Sequence, residues 1–148
     1  MDGEKKIRLI DLFEGRKQLI IYYAMLEPRA KPCVGCSMTI DNIGHNSSHI
    51  NARDTTFAFT APAPQSEIKE LQKKMQWNAP WYTDIDRKFA EDFGAGKFFA
   101  LKVFIQDVDH NIYRTYFTKS RGGEVFDVNL KLLDLTPLRT AGNMGELP

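Results

Sequence analysis

At 148 residues and roughly 150 residues per domain, the chain argues for one domain over residues 1–148, with a natural start upstream of Met1 left open. Twenty Lys and Arg against nineteen Asp and Glu leave a net charge of +1, and the basic residues are scattered, so no one-sided field favours a nucleic-acid partner. The longest apolar run, Leu19 to Leu26, is eight residues, against the ~20 of a membrane helix. The charged start Met1-Asp2-Gly3-Glu4-Lys5-Lys6 has no uninterrupted apolar signal region, so no membrane partner and a cytoplasmic location are expected.

Leu9, Leu12 and Phe13 predict a short helical turn ending at Gly15. Leu19 to Met25 is continuously apolar, which predicts a strand buried on both faces. Pro28 and Pro32 bound a loop, and Cys33 follows it directly. Cys36, Ile40, Ile43, Ser47 and Ile50 then fall on one stripe at helical spacing, predicting a helix from Val34 to about Ile50. Gly44 costs about 1 kcal/mol inside such a helix and marks the point where it would break or bend. Thr55 to Thr60 is β-branched and aromatic, a second strand, stopped by Ala61-Pro62-Ala63-Pro64.

A helix follows near Ser66 to Met75, with Ser66 as candidate N-cap and Ile68, Leu71 and Met75 inward. The proline-interrupted stretch Trp77 to Thr83 allows at most a short edge strand. Ile85, Phe89 and Phe93 recur every fourth residue before Gly94, predicting another helix. Leu101, Val103 and Ile105 alternate, as do Ile112, Arg114 and Tyr116 on the return, which predicts a hairpin across Asp107-Val108-Asp109-His110-Asn111. Phe126, Leu130 and Leu133 predict a last helix ending before Pro137. The order is α/β: a parallel strand–helix–strand unit with a right-handed crossover, extended by an antiparallel C-terminal hairpin into a mixed sheet flanked by helices.

The chemistry concentrates at the two cysteines. In a reducing compartment a C-x-x-C pair is seldom a structural disulfide and more often redox-active or metal-binding. Cys33 would open a helix, where unpaired amides and the positive end of the helix dipole favour a thiolate. Cysteines so placed have pKa values lowered from ~8.5 into the range of roughly 3.5–7.5. Cys36, one turn deeper on the core stripe, would resolve the mixed disulfide. Two cysteines that only pack are the alternative. The chain would then be a redox-inactive binding module, using the Trp77–Tyr82 region to hold a partner or a second copy of itself.

A metal centre from Cys33, Cys36, His45 and His49 is disfavoured by helix geometry. On a continuous helix Cys36 and His45 are separated by ~13.5 Å of rise and half a turn, whereas zinc needs all ligands within ~2.0–2.3 Å, so only a break at Gly44 that folds the second half back would bring them together. Asp107-x-Asp109-x-Asn111 resembles the start of a calcium loop, but Ile112 stands where glycine is needed and Thr118 where a bidentate Glu belongs. It reads as a turn. Trp77, Pro80, Trp81 and Tyr82 form an aromatic cluster whose commoner fate is core. Alternatively, Trp77 and Trp81 line a substrate pocket near the cysteines. Arg121-Gly122-Gly123 offers a guanidinium and amides to an anionic substrate group, or is simply the loop before the last helix. With no Gly-rich phosphate loop, no organic cofactor is expected.

Strand, C-x-x-C at a helix start, parallel strand, hairpin and helix together resemble the thioredoxin-like arrangement. More closely, the chain resembles the bacterial domain of unknown function 899, grouped with thioredoxin-like proteins. The similar stretches are Asp11-Leu12-Phe13-Glu14-Gly15-Arg16-Lys17-Gln18-Leu19, Cys33-x-x-Cys36-Ser37, Asn51-Ala52-Arg53-Asp54-Thr55-Thr56-Phe57 and Ala61-Pro62. Further along come Trp77-x-x-Pro80-Trp81, Phe89-x-x-Asp92-Phe93, Tyr116, Arg121-Gly122 and Leu133-Asp134-Leu135-Thr136-Pro137-Leu138.

The resemblance implies a thioredoxin-like fold carrying a C-x-x-C, and no settled activity. Two departures stand out. Thioredoxins place a cis-proline before the first hairpin strand, where this chain has Phe98-Phe99-Ala100-Leu101. Peroxiredoxins place Thr or Ser three residues before the attacking cysteine, where this chain has Ala30. The expected activity is thiol–disulfide exchange with Cys33 attacking and Cys36 resolving. An unidentified thiol or disulfide substrate and an external reductant would be the partners.

Overall fold

The computed structural model describes residues 6–24, 40–42, 47–84, 100–119, 132–133 and 135–137. Its elements, in chain order, are α1 (Leu9–Leu12), β1 (Gln18–Tyr23), α2 (Ser48–Asn51), β2 (Thr55–Ala61), α3 (Gln65–Met75), β3 (Trp81–Thr83), β4 (Ala100–Gln106) and β5 (Ile112–Lys119). The five strands form one sheet in the order β3-β2-β1-β4-β5. β1 runs parallel to β2, and β2 parallel to β3. β4 is antiparallel to both β1 and β5. This is the expected mixed sheet.

Each strand forms for a reason visible in its residues. All seven residues of β2 are buried, because the β-branched and aromatic run Thr55-Thr56-Phe57-Ala58-Phe59-Thr60 lies between two covered faces. One face carries Tyr22, Phe57, Phe59, Trp81 and Leu101 and packs with Ile40, Ile68 and Trp77. The other carries Leu19, Ile21, Ala58 and Phe104 and packs with Leu12 and Phe13 from α1 and the turn after it. α1 is tied at its start by Asp11, whose carboxylate accepts the Arg8 backbone N–H at 2.9 Å. Gly15 closes the turn at φ +78°, the left-handed conformation that glycine adopts without strain.

The amino-terminal end of β1 is latched by side chains. Arg16 Nη1 donates to Thr56 Oγ1 at 3.0 Å, Thr56 Oγ1 donates to the Phe13 carbonyl at 2.7 Å, and Gln106 Nε2 donates to the Arg16 carbonyl at 2.7 Å. Among the described residues no helix is long and apolar enough to cross a membrane.

Four expectations are revised. The run from Val34 to Ile50 is not one helix. Ile40, Asp41 and Asn42 are helical, but Ser47 leaves helical geometry (φ −106°, ψ 14°) and α2 starts afresh at Ser48. Ser66 is not the N-cap of α3. Pro64, extended at ψ 155° after the proline-rich stop, takes that place, its carbonyl accepting the Ile68 N–H at 3.1 Å. The first strand spans Gln18–Tyr23 rather than beginning at Leu19. In β5 the alternation of Ile112, Arg114 and Tyr116 fails: Phe104 faces Arg114 but Val103 faces Tyr116. Thr115 is the extra residue of a bulge, and it moves Tyr116 to the opposite face from Arg114.

The turn between β4 and β5 is the polar one expected. Asp107 Oδ1 accepts the backbone N–H groups of Asp109 and Asn111, both at 2.9 Å. The bond from the Asn111 amide is the main reason its carboxyl is held below the ordinary carboxylate value. The predicted helices around Ile85–Phe93 and Phe126–Leu130 lie outside the described residues, although Leu132 and Leu133 are helical.

α3 ends at Gln76, which holds the left-handed conformation (φ 59°, ψ 36°), and the following Trp77 N–H bonds back to the Gln72 carbonyl at 3.0 Å. Glycine is the residue favoured at this kind of helix end. Gln76→Gly should therefore raise stability by about 0.5–1 kcal/mol, relief of side-chain strain outweighing the added freedom of the unfolded chain. A higher urea midpoint at unchanged slope is the expected reading.

Candidate functional site

Cys33, Cys36, His45 and Arg121 lie outside the described residues. The described residues that flank positions 25–39 in sequence are Ala24 and Ile40. Ala24, at the end of β1, donates its N–H to the Thr60 carbonyl at 2.8 Å. Ile40 is the first helical residue described beyond it. Both side chains are buried, at 2% exposure, in the same apolar cluster. Ala24 and Ile40, the described residues on either side of positions 25–39, thus meet in one patch of core. Cys36 is four residues from Ile40, and that length of chain spans at most ~14 Å.

The patch is aromatic. Trp77 stacks on Trp81 at 5.5 Å between ring centroids and 13° between planes, and Trp81 stacks on Phe59 at 4.8 Å and 16°. Tyr22 meets Phe59 edge to face at 5.8 Å. Trp77 and Trp81 are only 3% and 5% exposed, so both indoles serve the core, the commoner fate of such rings. The backbone that carries them is clamped by two glutamines of α3. Gln65 Nε2 donates to the Trp81 carbonyl at 3.2 Å and to Thr83 Oγ1 at 3.0 Å. Gln72 Nε2 reaches the carbonyls of Trp77 at 3.4 Å and Ala79 at 3.1 Å. Pro80 accepts the Phe59 N–H at 2.9 Å, which seats β3 beside β2 in spite of the proline. The Trp77 indole N–H donates to Asp41 Oδ1 at 2.7 Å. Asp41 was not marked by any sequence motif; its partner is 36 positions away.

The other face of the same sheet end is polar beneath its cover. Tyr23 pairs with Thr60 and with Ala100, Thr60 with Tyr82, and Ile21 with Lys102, so Tyr23, Thr60, Tyr82 and Lys102 share that face. Lys102 is 1% exposed. Burial pushes its amine down to about 8, with the Arg114 charge adding to the effect and the Asp84 carboxylate opposing it. The sequence carries a faint sign of it. Between Leu101 and Val103, in an alternating apolar strand, a lysine is out of place unless its own face is open.

His49 is exposed on α2. Among the described residues no group of three or more His, Cys, Asp or Glu is placed to hold a metal ion.

The sequence matches, over residues 1–144, the family described as "Bacterial protein of unknown function (DUF899)". The chain belongs to that family. No curated protein matches it. Among solved structures the DUF899 chain is similar to peroxidoxin BcpB from Mycobacterium tuberculosis, with a TM-score of 0.59 at 12% identity over 90% of this chain and 87% of that one. It is also similar to a cysteine-to-serine mutant of peroxiredoxin Q from Xanthomonas campestris, with a TM-score of 0.54 at 12% identity over 89% of this chain and 99% of that one. At such identity the likeness establishes the fold, which is thioredoxin-like as expected.

Proposed function

We propose that this DUF899 chain is a thiol–disulfide oxidoreductase in which Cys33 attacks and Cys36 resolves. The observation that supports the reading is the setting of the C-x-x-C pair. In sequence it falls between Ala24 and Ile40, two residues that share one apolar cluster, on a fold shared with proteins titled peroxidoxin and peroxiredoxin.

The Cys33 thiolate attacks one sulfur of a substrate disulfide. That S–S bond breaks, the leaving thiolate takes a proton from water, and a mixed disulfide joins Cys33 to the substrate. Cys36 gives up its proton and attacks the Cys33 sulfur, expelling the second substrate thiol and closing a 33–36 disulfide. Two electrons have then passed from the cysteine pair to the substrate, and an external dithiol returns them. A disulfide is favoured over a peroxide as oxidant because Ala30 supplies no hydroxyl three residues before Cys33. Arg121 would offer a cation to an anionic substrate group, whereas Trp77 and Trp81, buried in the core, are support for the sheet and not substrate contacts.

Differential alkylation of the intact chain at graded pH, with and without prior oxidation by a small disulfide, tests the reading. Cys33 is expected to alkylate with a midpoint below the ordinary ~8.5 of a thiol, and both cysteines to become protected after oxidation and to be released by a dithiol. A Cys33 that alkylates like an ordinary thiol, in a pair that never oxidises reversibly, would overturn it. Faster oxidation by hydrogen peroxide than by any disulfide would overturn the choice of oxidant.

A further inference from the structure

We draw no further inference here: the strongest candidate, the cluster of buried polar side chains Tyr23, Thr60 and Lys102 on one face of the sheet, carries no proposal because nothing among the described residues shows what covers it.

Discussion

Trp81→Ala should cost about 3–5 kcal/mol, the usual penalty for emptying a large aromatic site in a core. Against a total stability of roughly 5–15 kcal/mol, that leaves a chain close to unfolding at physiological temperature. Trp81 sits between two rings, Trp77 at 5.5 Å and Phe59 at 4.8 Å, and stacked pairs of this kind contribute about 0.5–1.5 kcal/mol each beyond the area they bury. The residue also begins a three-residue strand at the sheet edge, held on β2 otherwise by backbone bonds and by the Gln65 amide. Trp81→Phe should be far milder. It preserves a ring in the stack and removes an indole N–H that is buried with no hydrogen-bond acceptor among the described residues, a group that is costly to desolvate. Urea unfolding of both variants at neutral pH measures the difference, and an alanine variant as stable as the phenylalanine one would show that the stack holds nothing together.

Lys102→Met should raise stability at neutral pH by about 1–3 kcal/mol, since a buried cation is replaced by an apolar chain of similar length. The sign follows from the titration. The folded amine is lowered to about 8 from 10.5, while the unfolded chain keeps the ordinary value. Below pH 8 both states carry the proton and the folded state bears the full penalty. Between pH 8 and 10.5 the unfolded state binds more protons than the folded one, so wild-type stability rises with pH across that window. The advantage of the methionine variant is therefore greatest below pH 8 and shrinks as the pH approaches 10.5. Unfolding midpoints of the two proteins at pH 7, 9 and 10.5 would show the gap closing. A gap that stays constant would mean that the amine does not titrate in this range.

Much of the fold was legible because the elements carry their own periodicity. The continuous apolar run of β1, the β-branched run of β2 and the alternation of β4 each specify a strand from local chemistry alone. Pro80 correctly limits β3 to a short edge strand. What was not legible depends on context. Ser66 has the chemistry of a cap, yet the chain emerging from Pro62 and Pro64 is already extended, so the cap falls two residues sooner, at Pro64. Thr115 looks like one more member of an alternating strand, and nothing in its side chain announces that it is the unpaired residue of a bulge.

The candidate site divides in the same way. Cys33 and Cys36 are legible as a spaced pair. Asp41 acquires its meaning from an indole 36 residues later, and Lys102 from the closing of both faces of the sheet over β4. The core role of Trp77 and Trp81 was the commoner expectation from their size alone, but the stacking of Trp81 on Phe59 is a product of the register of β3 on β2.

Among the described residues β5 is the last strand in the sheet order, and the rim of an end strand is in general a template on which a stray chain can polymerise. The extra residue at Thr115 coils that rim locally and throws its donors and acceptors out of line. Bulges of this kind are among the general devices by which sheet edges are made poor templates for stray strands.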